Sequence, residues 1–372
     1  MRPWRLHDGY VLRSYLGALV VTLLLLTALV VVADLGDRID RISRSERVLR
    51  AAGETPLLAV LEYYATLLPF LWWRMLPLAA LIGGTFALTW LSRHNELAPL
   101  VLAGVPTRRL VLPVLLAGVV LAATQVVVRE TLAPSVSRRH ETLARLLNGR
   151  ASDRLTEVPH FHDPGGGRLS MGAYVPRSFR MEDAFVHLRA DPAAGGKRGL
   201  YRYPSLVWDE TRAEWVADRG GVLSVLDPAD PAGEERALAA GSIAPLRAPP
   251  SLLELTFREG GALGLSSSEI RELVAAYPGR PRLRLLLHQQ AAVPVSLVVL
   301  LLIGLPFSVQ LAKGRTIRRF LACVATVALY QFTGTVATDL GARGELNPVV
   351  GAWLADVVFG ALGLVLFAGM DT

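Results

Sequence analysis

Five stretches of this chain are long enough and free enough of charge to cross a lipid bilayer, and a sixth is interrupted by a single acid. A bilayer core takes about 20 apolar residues of helix. The runs are Ser14 to Ala33, Met75 to Ser92, Leu110 to Val128, Leu285 to Ala312, Phe320 to Thr338, and Leu346 to Met370 with Asp356 inside it. Lipid offers no water to an unpaired N–H or C=O, so each run is expected to close its hydrogen bonds as a helix. The expected fold is an α-helical membrane protein with six transmembrane helices, three before a long polar middle and three after it. A hydrophobic share of 52% and a mean hydropathy of +0.39 agree, being too oily for an ordinary soluble chain.

The first run follows Arg2, Arg5 and Arg13 and ends in Val31-Val32-Ala33, a small-residue pattern that suits a signal-peptide cleavage site. A signal peptide's apolar core spans about 7 to 15 residues. This run is longer, so the helix is expected to be retained. Orientation follows from Lys and Arg in the short loops. With the N-terminus inside, the cytoplasmic segments carry Arg2, Arg5, Arg13, Arg93, Arg108, Arg109, Lys313, Arg315, Arg318 and Arg319, against Arg38, Arg41, Arg44, Arg47, Arg50 and Arg343 outside. Both termini are therefore expected in the cytoplasm, although five arginines in the first outer loop run against the rule. The net charge of +7 is nearly all Arg, the lysines being Lys197 and Lys313. Because these arginines flank apolar runs, they are expected to meet anionic headgroups, and no nucleic acid.

The second helix begins well before Met75: Leu57 to Leu91 is helix-compatible throughout, about 52 Å at 1.5 Å per residue. Its excess length is expected to project outside the bilayer. Trp72, Trp73 and Arg74 mark the interface, where amphipathic rings and a snorkelling Arg are at home, and Pro69 is placed to bend the helix.

The middle changes character. Gly and Pro clusters at 163–167, 191–196 and 227–233 punctuate short β-like runs at Arg168 to Val175, Ala184 to Arg189, Leu200 to Trp208, Glu214 to Ala217 and Gly221 to Leu226. This spacing predicts an antiparallel β domain outside the membrane. Ser266-Ser267-Ser268-Glu269-Ile270 then starts a helix leading back to the bilayer. The divisions are residues 1–134, 135–281 and 282–372.

Several chemistries find no support. No G-x-x-x-x-G-K-[ST] occurs, so no phosphate cradle for ATP is expected in this chain and no bound cofactor is implied. His94-Asn95-Glu96 and His140-Glu141 lack the second His of a zinc helix. His160, His162 and Asp163 lie between two prolines and are expected to decorate a turn, so no metal site is assigned. The single cysteine, Cys323, allows no disulfide framework. With no Ser-His-Asp set to assemble, the chain is not expected to be an enzyme. Asp356, near the middle of the last helix, costs roughly 2.5–3.5 kcal/mol on insertion scales. It serves either a substrate or proton path or a helix-packing hydrogen bond. Glu62, Asp339 and Arg129-Glu130 are expected at solvated helix ends.

Between the second and third spans, residues 92–109 are too long for a minimal turn. Ser92 is placed to cap a short helix with Glu96 near its first turn, and Leu97, Leu100, Val101 and Gly104 recur at three and four to make one apolar face. Gly104 before Val105-Pro106 ends it, and Pro99 sits uncomfortably inside it. Such a helix lies on lipid or presents Glu96 and its leucines to a protein, and an external ATPase is the natural partner of a chain without a nucleotide site.

The chain resembles the LptF/LptG (YjgP/YjgQ) permease family nearly end to end. The resemblance is carried by LHDGYVLRSYLGAL at 6–19, LPLAALIGGTFALTWLSRHNELAPLVLAGVPTRRLVLPV at 76–114, HQQAAVPVSLVVLLLIGLPFSV at 288–309 and ELNPVVGAWLADVVFGALGL at 345–364. It implies the membrane subunit of an ABC-type lipopolysaccharide exporter in the bacterial inner membrane, with a periplasmic β-jellyroll-like domain. It also implies that about 92–105 is a coupling helix docking on a cytoplasmic ABC ATPase dimer, with Glu96 as the acidic contact among Arg93, Leu97, Leu100 and Gly104. The implied partners are a second, homologous permease, LptC/LptA-like periplasmic bridge proteins, lipopolysaccharide and membrane lipids, with lateral gates at the first and fifth helices. Arg38 and Arg41 are then placed to meet lipid A phosphates or to snorkel to ordinary headgroups. The chain departs from the family at Asp34, Gln289 and Gln290, where basic residues are common, and at Pro99. An anchor for periplasmic proteins and an ion-driven transporter using Asp356 are the alternatives.

Overall fold

The computed structural model describes residues 6–51, 53–148, 155, 161–227, 230–259, 264–308 and 316–370; Arg2, Arg5, His160, Lys313 and Arg315 lie outside them, as do the side chains of Arg44, Leu97 and Arg319. The chain divides into two compact units, one of residues 1–149, 266–274 and 278–372, the other of residues 150–265 and 275–277.

The first unit holds six helices long and apolar enough to cross a membrane. They belong to α1 (Leu6–Ala51), α2 (Pro56–Arg93), α4 (Thr107–Thr131), α8 (Pro281–Ser308), α9 (Thr316–Arg343) and α10 (Pro348–Ala368), with the short α3 (Leu97–Leu102) between α2 and α4. Two further helices of this unit are α5 (Ala133–Leu147) and α7 (Ser267–Ala276). Helices in lipid gain nothing from hiding oil, so they associate where small residues let backbones approach. Gly83 of α2 lies against the α1 backbone: a Cβ there would be 2.9 Å from Leu19 Cα. Gly118 of α4 and Gly304 of α8 leave room for the side chains of Leu301 and Leu81 in the same way. One core joins Tyr15, Leu19, Leu88, Leu91, Leu110, Val114, Leu297 and Leu301 of α1, α2, α4 and α8. A second joins Leu81, Leu300, Tyr330, Ala355 and Phe359 of α2, α8, α9 and α10. Near the interface expected at Trp72 and Trp73, Trp72 Nε1 donates to Thr27 Oγ1 (3.1 Å) and the Arg129 guanidinium lies 4.3 Å from the Trp73 ring. Arg129, expected at a solvated helix end, is instead buried, because Trp73 gives its charge an aromatic face.

α5 corrects the domain boundary set at 135. Its apolar positions follow the helical period, and Leu143, Leu146 and Leu147 pack with Leu49 of α1 and Ala59 and Tyr63 of α2. The result is a three-helix platform at the far ends of α1 and α2. Arg139 locks it with a paired contact to Glu62 (2.6 and 2.7 Å) and one to Glu54 (3.0 Å). Glu62, expected at a solvated end, is thus one half of an ion pair. α7 starts as its serines predict: Ser266 N–H donates to Glu269 Oε2 (2.7 Å) and Glu269 N–H to Ser266 Oγ (3.2 Å), a reciprocal cap.

The second unit is one connected antiparallel sheet in the order β1-β2-β3-β4-β6-β7, with β5 also on β4. The strands are β1 (Phe161–His162), β2 (Arg168–Val175), β3 (Arg180–Leu188), β4 (Arg198–Asp209), β5 (Glu214–Ala217), β6 (Gly221–Asp227) and β7 (Asp230–Leu238). The sheet forks along β4: Arg198–Arg202 pairs with β6 and Leu206–Asp209 with β5. One face buries Leu169, Met171, Val186, Tyr201, Tyr203 and Leu223. Asp163, from the turn expected at DPGGG, is buried and accepts N–H bonds from Gly165 (2.7 Å), Arg247 (2.9 Å) and Ala248 (2.8 Å). β7 falls where turn punctuation was read; among the described residues it pairs with β6 alone, and an edge position tolerates its charges. α6 (Pro250–Glu259) follows the sheet.

Gly83→Val should lower the thermal midpoint of the detergent-purified protein, by about 1–3 kcal/mol of overpacking. Gly17→Ala, where a Cβ meets nothing within 4 Å, is the matched control and should leave it unchanged.

Candidate functional site

The stretch from Trp90 to Arg109 is built from two helix endings. Apolar packing carries α2 through Leu91, past the expected cap at Ser92, which is therefore inside α2. Asn95 then takes φ 57°, and the N–H groups of Asn95 and Glu96 bond Ser92 O (3.1 Å) and Leu91 O (3.0 Å). This is the left-handed ending that closes a helix's last carbonyls, and Asn tolerates it better than other side chains. α3 ends the same way: Gly104 has φ 81°, its N–H bonds Val101 O (2.9 Å), and Val105 N–H bonds Leu100 O (3.0 Å). The helix expected over about 92–105 is thus six residues, 97–102, set between two sharp corners. Pro99 is harmless here, because the N–H it lacks lies in the first turn and has no intrahelical partner.

Leu100, Val101 and Val105 pack against the main membrane core, while Leu102 is 88% exposed. Arg93, His94 and Asn95 are exposed, and the His94 ring lies tilted with its centre 4.2 Å from that of Trp90. Glu96 makes no side-chain cap. Its Oε2 instead accepts the hydroxyl of Tyr10 on α1 at 2.8 Å. Beyond α3, Arg109 Nη2 lies 4.0 Å from Asp8 Oδ2. Arg108 donates to the carbonyls of Met370 (Nε, 3.0 Å) and Ala368 and so closes the end of α10.

Arg38 and Arg41 sit on the far part of α1 and differ in surroundings. Arg38 Nε pairs with Asp34 Oδ1 at 2.8 Å, Tyr64 donates to Asp34 Oδ2 at 3.2 Å, and the guanidinium stands 5.1 Å from the centre of the Tyr63 ring. The acid that departs from the family pattern is thus the partner of the neighbouring Arg. Arg41 is exposed, and its Nη2 donates to Asp37 O at 3.1 Å. His140, considered in the sequence only as a zinc ligand, stacks 4.7 Å from Tyr63 with its Nδ1 3.1 Å from Thr66 Oγ1. Burial pushes its pKa down, which favours the neutral ring.

Asp356 is buried, and Tyr330 of α9 donates to its Oδ1 at 2.8 Å. The two other departures also carry structural bonds: Gln290 Oε1 accepts from Ser267 Oγ (2.7 Å), and Gln289 Nε2 donates to Thr338 Oγ1 (3.4 Å).

A family model described as lipopolysaccharide export system permease LptF/LptG matches residues 9–369, nearly the whole chain. The chain belongs to the LptF/LptG family. None of the curated proteins compared with it matches. As an LptF/LptG permease it is a multi-pass membrane protein and a transport subunit of the lipopolysaccharide export type rather than an enzyme.

Asp356→Asn keeps an acceptor for Tyr330 and should shift the unfolding free energy by less than about 1 kcal/mol. Asp356→Leu strands a buried hydroxyl and should cost about 1–3 kcal/mol. Thermal unfolding of the purified variants checks both, and equal losses would remove the bond from the account of α9–α10 packing.

Proposed function

We propose that this chain is the membrane permease subunit of an ABC-type exporter that extracts lipopolysaccharide from the bacterial inner membrane and passes it to a periplasmic bridge of LptC/LptA-like proteins. Both termini and α3 face the cytoplasm, and the β unit lies in the periplasm. A second, homologous permease completes the membrane part, and a cytoplasmic ABC ATPase dimer supplies the energy, since this chain carries no nucleotide motif.

The observation that carries the reading is α3 itself. Two left-handed corners hold a one-turn helix between two spans, seated on the core by Leu100 and Val101 and presenting Leu102 to a partner. A hinge-like loop would absorb a push from an ATPase, whereas a helix seated on the core passes it to the spans. Arg93, Glu96, Leu97, Leu100 and Gly104 form or flank this docking element. For lipid phosphate, Arg41 is better placed than Arg38, whose charge Asp34 already offsets. The ion-driven alternative has less support, because Asp356 is engaged by Tyr330 inside the helix packing.

Glu96→Lys should reduce recovery of the ATPase on gentle solubilisation and pull-down of the tagged chain by tenfold or more, roughly 1.4 kcal/mol, and should abolish export. Full recovery with normal export would overturn the docking role of α3.

A further inference from the structure

α1 differs from the other spans in three ways that bear on one another. It is a single helix of 46 residues without a proline, about 69 Å long at 1.5 Å per residue. Its apolar stretch is also the least buried of the six, 11% against 50% for α2 and 56% for α8. And its two ends are tied to different structures. At the near end, polar contacts to α1 flank α3 on both sides: Tyr10 to Glu96 just before it, and Asp8 to Arg109 just after it. At the far end, Leu49 is fully buried in the platform with Tyr63 and Leu143, and Tyr64 holds Asp34, which in turn holds Arg38.

We infer that α1 is the rod that carries a displacement of α3 to the three-helix platform on the opposite side of the membrane, with Tyr10 and Asp8 as the positioning residues that engage it. The inference rests on the docking role proposed for α3. Its physical argument is a comparison of paths. α2 also runs from α3 to the platform, but Pro69 and Pro77 interrupt its hydrogen-bond ladder, and half of its apolar stretch is locked in the core. Moving α2 would break packing on α1, α4 and α8 at once. Moving α1 disturbs its packing on α2 around Leu19 and Gly83, but most of its apolar stretch is unburied, and sliding that part costs little in a solvent as apolar as the helix. A helix with an intact ladder passes an axial push along its whole length. Glu96 therefore faces two groups: the tyrosine that ties it to α1 and whatever cation a partner brings. A partner that pulls on Glu96 pulls on the first turns of α1.

The test uses the complete complex in nanodiscs, with Cys323→Ser as background and spin labels at Glu46→Cys on far α1 and Val350→Cys on α10, both positions exposed. ATP should shift the measured distance by about 2 Å or more. The shift should be lost in Tyr10→Phe combined with Asp8→Asn, which keeps ring and side-chain volumes, while the variant elutes in gel filtration as the parent does. A shift of the same size in the double variant overturns the inference, as does its absence in a parent complex that retains the ATPase. Failure of the ATPase to co-purify with the parent, established before any distance is read, overturns the docking role of α3 and this inference with it.

Discussion

The membrane unit depends on how closely helix backbones can approach in a solvent that does nothing to press them together. Gly83 lets α2 meet the α1 backbone at Leu19, Gly118 and Gly304 admit the side chains of Leu301 and Leu81, and all three involve α2 or α8. α2 touches α1, α4, α5 and α8, so the placement of every other element of this half is referred to it. α8 does the same for α10 and α9. The short helix α3 can be held at a defined angle only because the α2 end from which it springs is itself fixed, with Leu88 and Leu91 fully buried beside Leu110.

Much of this was legible in the sequence, because bilayer thickness sets a length scale that a charge-free run either meets or does not. The six spans and the unusual length of α2 follow from that scale, and five of the seven strands from period and turn residues. What stayed illegible has physical reasons. β7 carries its charges because, among the described residues, it pairs with β6 alone, so it lacks the alternation that marks a half-buried strand. α5 shows helical spacing at Leu143, Leu146 and Leu147, but the loss of the charge-free run at 135 drew the boundary ahead of it. The corner at Asn95 was hidden because Asn is far less diagnostic of a left-handed residue than the glycine at 104.

The candidate site divides along the same line. Arg38 and Asp34 are four residues apart on one helix, a spacing that favours pairing, so their contact is written locally. The partners of Glu96 and Asp356 lie 86 and 26 residues away, and nothing in either neighbourhood names a tyrosine. Both tyrosines come from a different helix, and only tertiary packing brings them within reach.

An exposed apolar face is weak evidence of an interface in lipid, since α1 and α9 both show one and both would be as comfortable against acyl chains. What separates them is where polar bonds hold them. α9 is bonded part-way along its length, at Tyr330 to Asp356 and at Thr338 to Gln289. α1 is bonded near both ends, at Tyr10 and Asp8 on one side and around Asp34 and Arg38 on the other, with the Trp72–Thr27 bond between. A helix pinned part-way can tilt about the pin, sending its ends in opposite directions. A helix tied near both ends as well as part-way has no such single pivot. The two least buried spans of this permease therefore differ in where polar bonds hold them, and the difference lies in a few such bonds rather than in their apolar surfaces.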